Sequence, residues 1–145
     1  MIEVGLKCVM REPLTGRCMI LLESVSGLEI LPIPVGEESA NTIHSLLCGK
    51  EAENLSIFGI TTDILSSLGS AFPERVVIDG YEDGVFTSKV FIIVNGEERS
   101  VDARPSDAVR FALLSKVPVY VAKRILFEKF RDRKLCFEKK GNCCK

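Results

Sequence analysis

Apolar and polar residues alternate along the first ten positions, "MIEVGLKCVM". Ile2, Val4, Leu6, Cys8 and Met10 fall on one side, and Glu3, Gly5 and Lys7 on the other. A period of two predicts a strand with one face against a core. "EPLTGR" then carries turn signals at Pro13 and Gly16. "CMILLES" reads as a second strand, "SVSG" as a second turn and "LEILPIPV" as a third strand. Pro32 and Pro34 cannot donate to a ladder, so the third strand lies at an edge or ends there. Three strands with short links predict an antiparallel meander.

The period then changes. In "GEESANTIHSLLCG", Ala40, Ile43, His44 and Leu47 share one helical face, and Gly49 is a C-terminal stop. Glu37 and Glu38 fall in the first turn, where the helix dipole favours them. "KEAENLSIFGI" gives no clear assignment, and "TTDILSSLGSAF" predicts a short helix capped by Thr61 or Thr62. "ERVVIDGY" and "VFTSKVFIIV" predict two strands joined through "EDG", and the Asn95-Gly96 pair turns the second into "SVDA". Pro105 suits the first position of a helix, because its missing N–H would have no partner there. That helix, "DAVRFALLS", is apolar on most sides and should be well buried. "VPVYVA" predicts a further strand, and "KRILFEKFRDRK" an amphipathic helix with Ile125, Leu126 and Phe130 against a basic face. The order of elements predicts an α+β fold with a mixed, largely antiparallel sheet and about four helices.

The chain has 145 residues, enough for one domain with its own core. We expect that domain to occupy residues 1–128, with 129–145 forming a basic helix end and a loose tail. No apolar run approaches the length of a membrane span. Glu3 and the lack of a long apolar stretch near the start give no sign of a secretory signal, so a cytoplasmic location is expected. Of six cysteines, Cys8, Cys18, Cys48 and Cys136 stand singly in apolar stretches and read as small buried hydrophobes. Cys143 and Cys144 end the chain as an oxidisable pair. Net charge is −1 but unevenly placed: residues 123–145 hold nine Lys or Arg against three Asp or Glu, and residues 1–122 hold ten against seventeen. A basic tail on an acidic body suits an anionic partner such as nucleic acid, although a solvated helix face has the same composition.

No phosphate-binding loop, dinucleotide fingerprint, nucleophile elbow or zinc-protease motif occurs. His44 is the only histidine, which excludes mechanisms that need two, and its place on an apolar helix face fits a structural role. The densest chemical constellation is "VDARPSDA", with Asp102, Arg104, Ser106 and Asp107 ahead of the buried helix. Its plainer reading is a helix start in which Asp107 caps free N–H groups and Arg104 pairs with a carboxylate. Its functional reading is a set of carboxylates holding Mg²⁺ or Mn²⁺ while Arg104 binds a phosphate, because metal-assisted phosphodiester hydrolysis needs no histidine.

"LPIPVGEESA", "TTDIL", "ERVVIDGYEDGVFTSKVFI" and "VDARPSDAVRFALLSKVPVYVA" stand in an order and spacing that resemble the bifunctional nuclease domain family. The resemblance spans roughly residues 1–128. It implies a small α+β domain, a metal-dependent nuclease acting on DNA or RNA, and a homo-oligomer. Asp102, Arg104, Pro105, Ser106 and Asp107 match the family block, Gly36 matches its glycine and Asp63 matches its aspartate. Ser39 stands where the family usually has glutamate, with Glu37 or Glu38 as the nearest substitutes, and Thr62 stands where it usually has histidine. The implied catalytic set is Asp102, Arg104, Asp107 and Asp63, with Asp102, Asp107, Glu37 and Glu38 as metal ligands. Arg104, Ser106, Lys123, Arg124 and Arg131 would bind the substrate through its phosphates. With two tyrosines, eight phenylalanines and no tryptophan, no base-stacking surface is evident, and recognition without sequence specificity is expected. The alternative is a binding or scaffold module of the same fold without turnover, in which Asp102, Arg104 and Asp107 form only a salt-bridge network.

Overall fold

The computed structural model describes residues 1–49 and 57–128. Within them a single mixed sheet contains β1 (Ile2–Arg11), β2 (Cys18–Ser24), β3 (Glu29–Val35), β4 (Ala71–Glu82), β5 (Val85–Val94), β6 (Glu97–Ala103), β7 (Val119–Val121) and β8 (Phe127–Glu128). Three α-helices are described: α1 (Glu37–Leu47), α2 (Ile57–Ser67) and α3 (Pro105–Ser115). The class is the expected α+β, and the strand order is β6-β5-β4-β7-β1-β2-β3-β8.

Two antiparallel meanders, β1–β2–β3 and β4–β5–β6, make up most of the sheet. β7 joins them: its three residues pair parallel with β4 and antiparallel with β1. The tight turns follow from sequence. Asp83-Gly84 and Asn95-Gly96 both place two residues at positive φ, 49° and 82° in the first, 50° and 80° in the second. That geometry matches the twist of the flanking strands and favours Asn or Asp followed by Gly. The prolines of β3 also sit as expected. β8 pairs only with Glu29 and Ile30, so among the described residues no strand continues the sheet beside Leu31, Pro32 and Pro34 on that edge.

The buried side chains fall into two adjoining clusters. Ile20, Leu22, Leu31 and Ile33 meet Ile43 of α1 and Val109 of α3. Val76 and Val90 meet Ala108 and Phe111 of α3, with Phe58 and Leu65 of α2 packed alongside. α3 thus lies between both clusters, and its burial is as its apolar sequence predicts.

Four details depart from the sequence expectations. The β1 alternation holds only to Leu6. A bulge then inserts Lys7, so that Leu6 faces Leu22 but Cys8 faces Leu21 and Val9 faces Ile20. A one-residue insertion moves every later side chain to the other face, and Val9 rather than Cys8 joins the core. Second, α2 begins at Ile57, not at the threonines. Thr61 and Thr62 are inside the helix, where their hydroxyls donate back to the carbonyls of Ile57 and Gly59 at 2.7 and 2.8 Å. Third, β4 begins at Ala71, ahead of the expected "ERVVIDGY". Fourth, the expected amphipathic terminal helix does not start at Lys123. Lys123–Ile125 is one 3₁₀ turn followed by β8. Ile125 and Leu126 pack on the main core and Phe127–Glu128 pair with the β3 edge, so tertiary contacts override the helical pattern. The remainder of that expected helix, Arg131 included, lies outside the described residues.

Candidate functional site

A cleft of about 490 Å³ is lined by the β1–β2 turn, the β3–α1 link, the tip of the β4–β5 hairpin and the β6–α3 link. Two helix N-termini reach it: Gly36 and Glu37 at the start of α1, and Arg104, Pro105 and Ser106 at the start of α3. Neither N-cap side chain bonds its first turn. Glycine has no side chain to do so and a guanidinium has no acceptor, while Pro105 removes one of the unpaired donors. The first-turn N–H groups therefore stay open to an anion, while Glu37 and Glu38 in the first turn of α1 and Asp107 in that of α3 already use part of the helix dipoles. Arg11, Arg17 and Arg104 line the same cleft.

Carboxylates hold two of these cations. Arg11 donates to Glu37 at 3.0 Å and to the Gly16 carbonyl at 3.3 Å. Arg104 donates through Nε to Asp107 at 2.6 Å. These bonds hold both guanidinium pKa values above the ordinary arginine value, chiefly through the hydrogen bond to the carboxylate. The Arg104 side chain is 80% exposed and that of Asp107 only 23%. Asp107 thus anchors the inner end of the guanidinium and leaves the rest of the arginine turned to solvent. A second hollow of about 550 Å³ adjoins the first and shares Phe86 and Arg104 with it. Its lining includes Asp79, Lys89 and Asp102.

Of the residues expected from sequence, Arg104, Ser106 and Glu37 line the main cleft, and Asp102 lines the adjoining hollow. Asp107 touches the site through Arg104. Glu38 is exposed on the first turn of α1 and acts on Arg104 electrostatically. Asp63 is exposed on α2, outside the lining of both hollows. Lys123 and Arg124 are in the 3₁₀ turn, and Arg124 donates to the Asp79 carbonyl at 2.7 Å beside the second hollow. His44 is half-buried on α1, its Nε2 3.7 Å from the Cys48 sulfur.

The expected metal ligands do not form a cage. Asp102 pairs with Lys89 at 3.2 Å, Asp107 with Arg104 and Glu37 with Arg11. Among the described residues no three of His, Cys, Asp and Glu gather where one ion could be held. A hard divalent cation needs oxygen ligands converging on one point, and this arrangement instead matches each of those three carboxylates to a cation.

Sequence reasoning missed Arg11, Arg17, Phe86 and Lys89. Arg11 and Arg17 flank the first turn, far from "DARPSDA" in the chain, and only the sheet topology joins them. Phe86 had a usable signal: a two-residue Asp-Gly turn places Tyr81 opposite Phe86.

The family profile of the bifunctional nuclease domain matches residues 20–132, and the chain belongs to that family. Two Mycobacterium tuberculosis proteins, "Uncharacterized protein MT1877" of strain CDC 1551 / Oshkosh and "Uncharacterized protein Rv1829" of strain ATCC 25618 / H37Rv, are each 30% identical to it over 108 residues. The match covers 74% of this chain and 63% of either relative. No helix among the described residues is long and apolar enough to cross a membrane.

Proposed function

We propose that this domain binds the phosphodiester backbone of DNA or RNA in the cleft between the starts of α1 and α3, without reading base sequence. The observation that carries this reading is the lining of a single cleft by two helix N-termini without side-chain caps and by three arginines. Backbone N–H groups at a helix start and a planar guanidinium are both suited to phosphate oxygens. Phosphate contacts fix position without carrying sequence information. The test is anisotropy of labelled oligonucleotides against salt. Arg104→Ala should weaken binding. It should also flatten the plot of log K against log salt by about 0.7 for every single-strand phosphate that is no longer neutralised. Unchanged affinity and slope would rule the cleft out as the binding surface.

Hydrolysis is the second reading, favoured by membership of a nuclease family. Mg²⁺ or Mn²⁺ would be its added component, with Asp102, Asp107, Asp63, Glu37 and Glu38 as the carboxylates to test. Lys123, Arg124 and Arg131 would steer the substrate. The same oligonucleotides incubated with either metal or with EDTA separate the readings. Cleavage that needs metal and is lost in Asp102→Asn and Asp107→Asn supports an enzyme. Binding without cleavage leaves the module. Self-association belongs to the proposal as well, through the outer face of α2, where Ile57, Ile60 and Ile64 are exposed at helical spacing.

A further inference from the structure

Tyr81 and Phe86 are cross-strand partners in the β4–β5 hairpin, held opposite each other by the Asp83-Gly84 turn. Their ring centroids are 4.6 Å apart with planes tilted by 48°. Phe86 is half-buried and lines both hollows, as Arg104 does. Tyr81 lies outside their lining and is 54% exposed. An aromatic surface is thus joined through Phe86 to the wall that bears Arg104. The cleft lining beside it is apolar at Val85, Ile33 and Pro34. Its volume is on the scale of small-ligand pockets.

We infer that the Tyr81–Phe86 pair is a stacking platform for one unpaired base, so that the cleft takes single-stranded nucleic acid in preference to duplex. The inference rests on the backbone-binding reading and adds the substrate class to it. An aromatic ring stacks on any base, which gives affinity without sequence selectivity. The faces of a base inside a duplex are already covered by its neighbours, whereas a single strand can turn one outward. One nucleotide would then set its phosphate at Arg104 and the starts of α1 and α3, and its base on the exposed ring of Tyr81. Composition hides such a surface because aromatics are few. The hairpin turn brings two of them together.

Tyr81 also supplies the reporter. The chain has no tryptophan and two tyrosines, and the other, Tyr120, is half-buried in β7. Tyrosine emission and anisotropy are measured for the full chain with an oligothymidine strand, an oligouridine strand and a blunt duplex. The expected result is binding of both single strands with quenching of tyrosine emission, and duplex binding at least about tenfold weaker. Tyr81→Ala should weaken single-strand binding by about tenfold or more, the effect of removing one stacked base. Tyr81→Phe should keep the affinity and lose most of the quenching. If duplex binds as tightly as single strands, or if Tyr81→Ala keeps single-strand affinity while Arg104→Ala loses it, the platform is wrong and the phosphate cleft stands. If no oligonucleotide binds the wild type, the backbone reading itself falls. Circular dichroism melts of both Tyr81 variants establish that the fold is retained.

Discussion

Arg104 shows how one residue links helix start and site. It occupies the N-cap of α3, where Ser, Thr, Asp or Asn would usually accept a first-turn N–H, yet its charge has the wrong sign for that task. Spacing alone makes Asp107 the cap. In the structure its Oδ2 accepts from the Arg104 Nε instead. A helix start left uncapped beside a tethered guanidinium gives up some helix stability and leaves the first-turn N–H groups open, as the proposed anion seat requires. Glu29 shows the opposite case, a carboxylate bonded within the fold. The hydroxyls of Ser24 and Ser26 donate to it at 2.6 and 2.9 Å. Those bonds, Ser24 first, hold its pKa below the ordinary value of 4.5, with a smaller contribution from Lys123. A lowered folded-state pKa means that the stabilisation is complete above 4.5 and is lost as pH falls through the folded value. Glu29→Gln should therefore lower the urea midpoint at pH 6, and the gap to wild type should close as the pH falls below about 4.5. A gap that stays constant down to about pH 3 would show that the hydroxyl network does not depend on the carboxylate charge.

At the scale of elements, the short β7 has the most consequence for its length, because its three residues join two meanders that otherwise have separate ladders. Ile78 of β4 is fully buried and is paired in register with Val121 of β7. Ile78→Ala opens a cavity at that seam and should cost about 2–5 kcal/mol in urea unfolding, with the slope m unchanged. A loss below about 1 kcal/mol would mean that the seam relaxes around the cavity. β7 was legible in the sequence as "VPVYVA", but its partners were not, since nothing local says that a strand after α3 returns between β4 and β1. The same division holds elsewhere. The two hairpins were legible because Asp-Gly and Asn-Gly demand one backbone geometry, and the β3 prolines because they cannot donate. The bulge at Lys7 was not, because an inserted residue leaves the composition of the strand unchanged. The start of α2 was missed because threonine reads as a cap, although its hydroxyl can equally return to a carbonyl one turn back. Within the candidate site, "DARPSDA" was legible as charge crowded before an apolar helix. Arg11 and Arg17 were not, since a cleft made by four separate links has no local pattern.

At the scale of the whole molecule, α2 presents a surface that the described residues leave uncovered. Its inner side is Phe58, Thr62 and Leu65; the first and last pack against the second core cluster, and Thr62 is bonded to the helix backbone. Its outer side sets Ile57, Ile60 and Ile64 at 69%, 47% and 55% exposure, and Leu68 and Phe72 are exposed just beyond the helix. Asp63 is the only charged residue of α2, so a second copy meets little like-charge repulsion along the stripe. Exposed apolar side chains repeated along one helix face mark a candidate interaction surface. A stripe that is apolar on both partners and nearly free of charge suits a copy of itself. The occupant we assign is therefore a second copy of the chain. Sedimentation equilibrium of the wild type should give a mass at least twice the 16.0 kDa of one chain. The double variant Ile60→Glu and Ile64→Glu should sediment as a monomer with its circular dichroism retained, because both side chains already face water. A monomeric wild type removes the interface altogether. A variant that stays oligomeric moves the interface to another face. The cleft and this stripe belong to different elements, so the charge variants should also keep single-strand affinity unless self-association itself raises it by avidity.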